Sequence, residues 1–294
     1  MLRWQIGNVR ITQVTESGPT PTSPKFLFKD PPRDLVAQHG WLKPHFANDD
    51  NRLLMSIHAF VIESEGRRIV VDTCIGNDKR RSFEGWNQLH GPFLEHMTAA
   101  GFAPDTIDTV LCTHLHVDHV GWNTRLADGR WVPTFTKARY LFARQEWEHW
   151  SREANDASLY DASAVLGDSV RPIIDAGLAD LVETDHRITG EVWLQPTPGH
   201  TPGHVSVRIE SAGQLAVITG DLMHHPIQCA EPDREVNSDS DPALARTTRK
   251  HFLACCARDR PLVLGTHFAP PTAGHVVAHD DTWRFQAWLP SADG

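Results

Sequence analysis

The segment Thr113-His114-Leu115-His116-Val117-Asp118-His119 puts three imidazoles and a carboxylate within seven residues, directly after an apolar run that reads as a buried strand. Imidazole nitrogen and carboxylate oxygen are donors that zinc accepts. A catalytic zinc keeps one position for water, so further donors must come from elsewhere in the chain. In extended backbone His114 and His116 point to one side, while the following turn brings Asp118 and His119 round to a neighbouring point. This suits two adjacent ions better than one. The further donors each stand at a strand end beside glycine: His200 in Pro198-Gly199-His200, Asp221 in Thr219-Gly220-Asp221 and His267 in Gly265-Thr266-His267. Loops at strand ends are where layered α/β folds gather functional groups.

The elements that must position these donors are legible from periodicity. Residues 7–14 alternate like a half-buried strand, and 18–50 then lose all periodicity and read as an extended arm, a lid or a dimer contact. Alternation returns from Leu53 through 56–62, and with a Glu65-Gly66 turn and 68–72 it predicts a hairpin. Helical spacing over 93–100 stops at Gly101, and 109–113 reads as a buried strand. The second half offers a helix over 143–154, strands near 192–194, 205–209 and 215–219, a helix over 243–257 and a strand at 262–264. Two β-rich halves with intervening helices predict an α/β layered fold, two sheets sandwiched by helices. The expected organisation is an arm, 1–52, and a catalytic part, 53–294, in a single domain.

Composition narrows the function. The chain has 294 residues, 40% hydrophobic and 22% charged, which is ordinary globular material. Its net charge of −9 offers nothing to neutralise a phosphate backbone, so the expected partner is a small-molecule substrate and not nucleic acid. No run of eighteen apolar residues is present to span a membrane, and the N-terminus lacks the apolar stretch of an export signal, so the expected location is cytoplasmic. Five cysteines without framework spacing read as reduced, mostly structural thiols.

The string His114-x-His116-x-Asp118-His119, followed by His200, Asp221 and His267, resembles the metal-ligand set of the metallo-β-lactamase superfamily. The resemblance spans about 53–268 and implies an αββα sandwich, with the strand-end Asp72 supporting the site. It implies a first metal on His114, His116 and His200, a second on Asp118, His119 and His267, and Asp221 bridging them. Two zinc ions are expected per chain, with manganese, iron or cobalt as alternatives. Such a pair lowers the pKa of a shared water towards about 7, giving a bridging hydroxide for attack on a carbonyl. Asp118 would orient it and pass its proton to the leaving group.

Within the superfamily, His116 stands where flavodiiron oxidoreductases have an acid, which favours zinc and leaves an iron oxidoreductase as the alternative class. Asp221 and the missing export signal separate the chain from true β-lactamases. No basic arm suggests a ribonuclease-type member, and residues 269–294 lack the basic region of glyoxalase-II-like thioesterases. The chain most resembles quorum-quenching lactonases and related organophosphate-hydrolysing enzymes. This implies hydrolysis of a lactone or related carboxylic ester, with phosphotriester hydrolysis or aromatic dehalogenation as alternatives, and a homodimer by family habit. Those lactonases commonly place a tyrosine shortly after the bridging aspartate. Here the run is Asp221-Leu222-Met223-His224-His225, so His224 is the candidate donor to the substrate carbonyl. His204 reads as a structural repeat of the Pro-Gly-His pattern, and Trp122, Trp41 and Phe46 as candidate pocket walls.

Overall fold

The computed structural model describes residues 1–153 and 161–288. The first sheet runs β1 (Arg3–Ile6), β2 (Val9–Thr22), β3 (Leu53–Ser64), β4 (Arg67–Val71), β5 (Thr109–Leu111), β8 (Arg139–Ala143) and β9 (Ala179–Val182). A side hairpin, β6 (Thr124–Ala127) and β7 (Arg130–Pro133), interrupts the chain order. The second sheet is β10 (Val192–Pro196), β11 (Val205–Ser211), β12 (Gln214–Ile218), β13 (Leu262–Leu264), β14 (Ala273–His279) and β15 (Thr282–Ala287).

Three buried clusters separate the layers, and strand alternation divides residues between them. Phe60, Ile62, Ile69, Val71 and Leu111 of the first sheet meet Val207, Ile209, Ala216, Ile218 and Leu264 of the second in the central core. Their neighbours Ala59, Val61, Val70 and Val110 face the other way, onto Phe93 and Met97 of the helix Phe93–Ala99 and Trp150 of the helix Arg144–Glu153. Val217, Val263 and Val276 likewise pack against Phe252 and Leu253 of the helix Pro242–Asp259. The expected αββα sandwich is therefore the architecture found.

The N-terminal third departs from the sequence reading. Gly7 and Asn8 form the turn of a β1–β2 hairpin rather than the start of a strand, and β2 runs on through Gly18 to Thr22. The register shifts between Thr15, Ser17 and Thr20 hide its period-2 pattern. Beyond it, Leu27, Phe28, Leu35, Val36, Leu42 and Phe46 are buried against the second sheet's outer face. The helix over 143–154 is Arg144–Glu153, and Ala154 lies outside the described residues.

One buried charge cluster carries a stability prediction. The Lys79 ammonium lies 2.9 Å from Thr124 Oγ1, 3.5 Å from Asp168 Oδ1 and 3.9 Å from the Trp131 ring centroid. Arg81 pairs with the same carboxylate at 2.7 and 2.9 Å, so one aspartate serves two buried cations. Burial pushes Lys79 down to about 8 from an ordinary 10.5. Between those values the unfolded chain holds a proton that the folded chain has released, so rising pH stabilises the fold. Urea unfolding of the parent chain and of Lys79→Met should therefore diverge across that window, the parent gaining on the order of 1–3 kcal/mol relative to the variant. Parallel pH profiles for the two proteins would contradict a depressed Lys79.

Candidate metal centre

Parallel pairing gathers the expected donors at one edge of the sandwich. β4 and β5 run parallel, as do β12 and β13, so the carboxyl ends of each pair open in the same direction. Asp72 follows β4, the segment 113–119 follows β5, Asp221 follows β12 and His267 follows β13; His200 stands in the loop between β10 and β11. Two glycines permit these tight exits. A Cβ on Gly199 would fall 2.3 Å from the Ala245 nitrogen, and one on Gly220 would fall 2.6 Å from His204 Nε2, each at positive φ. The His200 loop is also tied to the helix Pro242–Asp259: the Ser240 and Asp241 N–H groups donate to the His200 and Gly199 carbonyls, while the Asp241 side chain caps the helix.

All seven expected ligands converge, with Asp221 at the centre. Its Oδ2 lies 3.3 Å from His119 Nε2, 3.5 Å from His200 Nε2 and 3.8 Å from His114 Nε2, and its Oδ1 is 3.1 Å from His267 Nε2. His200 Nε2 and His116 Nδ1 approach to 3.0 Å, and His267 Nε2 and His119 Nε2 to 3.3 Å. Asp118 lies 3.6 Å from both His119 Nε2 and His267 Nε2. The ligand atoms form close groups, among them His114, His116 and His200, and Asp118, His119 and His267. His224 also belongs here, its Nε2 3.1 Å from Asp221 Oδ2.

The donor chemistry fits divalent metal. His200 Nδ1 donates to Asp239 Oδ1 (3.1 Å), His119 Nδ1 to Asp72 Oδ2 (2.9 Å) and His267 Nδ1 to the Ser56 carbonyl (3.1 Å). With Nδ1 so engaged, the proton that a cation would displace is the one on the inward Nε2, which leaves the lone pair a metal requires. His114 Nε2 and Asp221 Oδ1 are buried without a hydrogen-bond partner, an arrangement that a cation between them relieves. Burial and neighbouring histidines hold His114 and His200 well below the usual imidazole range. Burial works against charge on His119 and His267 too, but Asp221 and neighbouring carboxylates overcome it and raise both. Asp221 itself is held well below the carboxylate range, with His119, His267 and His224 outweighing burial.

The supporting residues are partly as expected. Asp72 sits at φ 58°, and its carboxylate takes the Thr113 N–H at 2.7 Å and the Thr113 hydroxyl at 2.9 Å besides His119. His204 is structural: its Nε2 accepts the Asp221 N–H at 2.8 Å and its Nδ1 donates to the Thr197 carbonyl. Trp122 and Phe46 are both buried in the core. Trp122 is buried, stacked on Phe93, and donates to Glu16 at 2.6 Å; Phe46 is buried among Phe268 and Phe285. Trp41 packs on the same outer cluster, beneath Arg284. Sequence reasoning missed Asp239, Glu16 and Glu146, three buried or nearly buried acids far in sequence from the groups they serve. Glu16 holds the Ile75 and Gly76 N–H groups. Nothing local in the sequence marks the three acids, since the groups they serve lie 31 to 106 residues away.

Comparison with known proteins agrees with this geometry. The model of the metallo-beta-lactamase superfamily matches residues 53–281. The N-acyl homoserine lactonase AiiA of Bacillus thuringiensis subsp. kurstaki is 24% identical over 227 residues, 73% of this chain and 82% of that protein. Among solved structures, the hydrolase AbOPH of the beta lactamase superfamily superposes with a TM-score of 0.80 at 26% identity, covering 98% of this chain and 97% of the other. The dizinc quorum-quenching lactonase AidC, solved with the product N-hexnoyl-L-homoserine, gives a TM-score of 0.75 at 21% identity over 98% and 97% of the two chains. Members of this superfamily bind metal ions, and the His and Asp groups above could hold them. The chain belongs to the metallo-beta-lactamase superfamily, and its relatives there include, at low identity, the quorum-quenching lactonases.

Proposed function

We propose that the protein is a binuclear zinc hydrolase that opens an ester-like bond, with a lactone as its leading substrate class. The observation that carries this reading is the placement of Asp221 within 3.8 Å of imidazole nitrogens from both halves of the site, between two donor groups. His114, His116 and His200 would hold one ion, Asp118, His119 and His267 the other, and Asp221 both. Bound there, two divalent ions lower the pKa of water towards neutrality and polarise a carbonyl or phosphoryl oxygen.

The chain's own groups supply the rest. Asp118, with 12% of its side chain exposed, takes a proton and delivers it to the leaving oxygen. Asp72, Asp239 and the Ser56 carbonyl fix the imidazole tautomers. His224 stands three residues after Asp221, its Nε2 also 3.4 Å from Ser238 Oγ. Were Asp221 to hold the ions, the His224 Nε2–H, 3.1 Å from its Oδ2, would be available to donate to the substrate carbonyl. Lactone is favoured over phosphotriester by the similarity to AiiA and AidC. We also infer a cytoplasmic setting, which the five free cysteines support, and a homodimer as the working assembly. Among the described residues no helix is long and apolar enough to cross a membrane.

Initial rates of the zinc-loaded protein on a γ-lactone, an aryl ester, a phosphotriester and a β-lactam test the reading. A dominant lactone rate is expected, and failure on all four with two ions bound would overturn it. His224→Ala should lower lactone kcat/KM by roughly 10–100-fold with metal content unchanged, whereas His224→Tyr, which keeps a donor there, should retain most of it. Loss of an ion from His224→Ala would instead make this side chain a ligand.

A further inference from the structure

We propose that Glu146 is the positioning residue of the first metal position, as Asp72 is of the second, so that the two ions are supported by separate buried carboxylates. This rests on the binuclear reading above. Glu146 lies in the first turn of the helix Arg144–Glu153 and is fully buried. Its Oε1 accepts the Gly203 N–H at 2.8 Å; its Oε2 accepts the Leu115 N–H at 3.1 Å and the Trp150 indole N–H at 2.9 Å. Leu115 stands between His114 and His116, and Gly203 lies three residues beyond His200. One side chain therefore ties together the two loops that bring all three imidazoles of the first position, one loop from each sheet.

The second position has different anchors. His119 rests on Asp72 at 2.9 Å and His267 on the Ser56 carbonyl at 3.1 Å, and neither contact involves Glu146. A second observation points the same way. A Cβ on Gly203 would fall 2.7 Å from the Glu146 nitrogen and 3.1 Å from its Cγ, so the loop reaches the carboxylate only because residue 203 has no side chain. A buried carboxylate is stable only with donors to satisfy it, and here two of them are backbone N–H groups of the ligand loops. Alignment of those loops and saturation of Glu146 are thus one condition.

The test titrates the metal-free full-length chain with Zn²⁺ against a chromophoric chelator, with Co²⁺ absorption to report each ligand field. In Glu146→Gln one of two ions should bind about 10–100-fold more weakly and the other within about threefold of the parent, the typical cost of losing a group that orients ligands. Asp72→Asn should weaken chiefly the other ion, through His119, and the first by a smaller factor through Thr113, whose hydroxyl lies 3.1 Å from His114 Nδ1. Gly203→Ala reaches the same contact by another route and should reproduce the Glu146→Gln pattern. Equal weakening of both ions together with a lower Tm of the metal-free variant would mark a merely structural carboxylate and overturn the assignment. So would parental affinity for both ions in Glu146→Gln and Gly203→Ala. A parent chain that takes up fewer than two ions would overturn the binuclear reading first, and this assignment with it.

Discussion

Asp118→Asn is expected to lower kcat by roughly 10²–10⁴-fold, the usual contribution of a positioned acid–base group. Four carboxylates surround the centre, and their exposure distinguishes their work. The side chains of Asp72, Asp221 and Asp239 are exposed by 2, 5 and 1%, each committed to imidazole or backbone partners, whereas that of Asp118 is exposed by 12%. It is the most exposed of the four and still lies 3.6 Å from the His119 and His267 Nε2 atoms. Asparagine keeps the shape and one ligating oxygen but cannot accept a proton at neutral pH. The measurement is steady-state turnover on the preferred ester alongside metal content. A loss of rate recovered at saturating zinc would reduce Asp118 to a ligand. Parental activity with parental metal would remove it from the mechanism.

What the sequence made legible follows from how local each signal is. The segment 113–119 is readable because four donors fall within seven residues and a buried strand precedes them; β5 does end at Leu111, just before it. His200, Asp221 and His267 could be singled out because glycine precedes each within two residues, and the close approaches at Gly199 and Gly220 show why. The strands β3, β4, β11, β12 and β13 kept clean apolar patterns because each is buried on both faces or alternates between two cores.

Other elements gave weaker signals. β2 was cut short because its register shifts break the alternation, and β14 and β15 close a sheet edge where polar residues enter the pattern. The β6–β7 ribbon and β9 have mixed exposure and no strong period. Glu146 and Asp239 were invisible for a different reason. A buried carboxylate is defined by the N–H groups around it, and those lie far away in sequence: Leu115 is 31 residues from Glu146 and Gly203 is 57. His224 is singled out only by resemblance, from the place where the lactonases carry a tyrosine, and its Nε2 lies 3.1 Å from Asp221 Oδ2.

The second large effect is expected at Asp221→Ala, which should abolish the paired site as a unit. Five imidazoles, those of His224, His267, His119, His200 and His114, lie 3.1 to 3.8 Å from this one carboxylate. Its charge is what draws His119 and His267 towards protonation despite their burial. Without it, that cluster loses its central anion, and a second divalent ion would have to enter beside the first with one fewer negative charge to screen their repulsion. Uptake of at least one ion should therefore fail at concentrations that saturate the parent, and ester hydrolysis should fall to background. Thermal unfolding gives a readout independent of turnover. Zinc at about 100 times its Kd stabilises a folded binding site by about 2.7 kcal/mol, so the parent Tm should climb on zinc addition and drop after chelation, while Asp221→Ala should show a much smaller rise. A variant that takes up two ions and gains Tm as the parent does would mean that the ions are held without a shared carboxylate, and the geometry around Asp221 would then need another explanation.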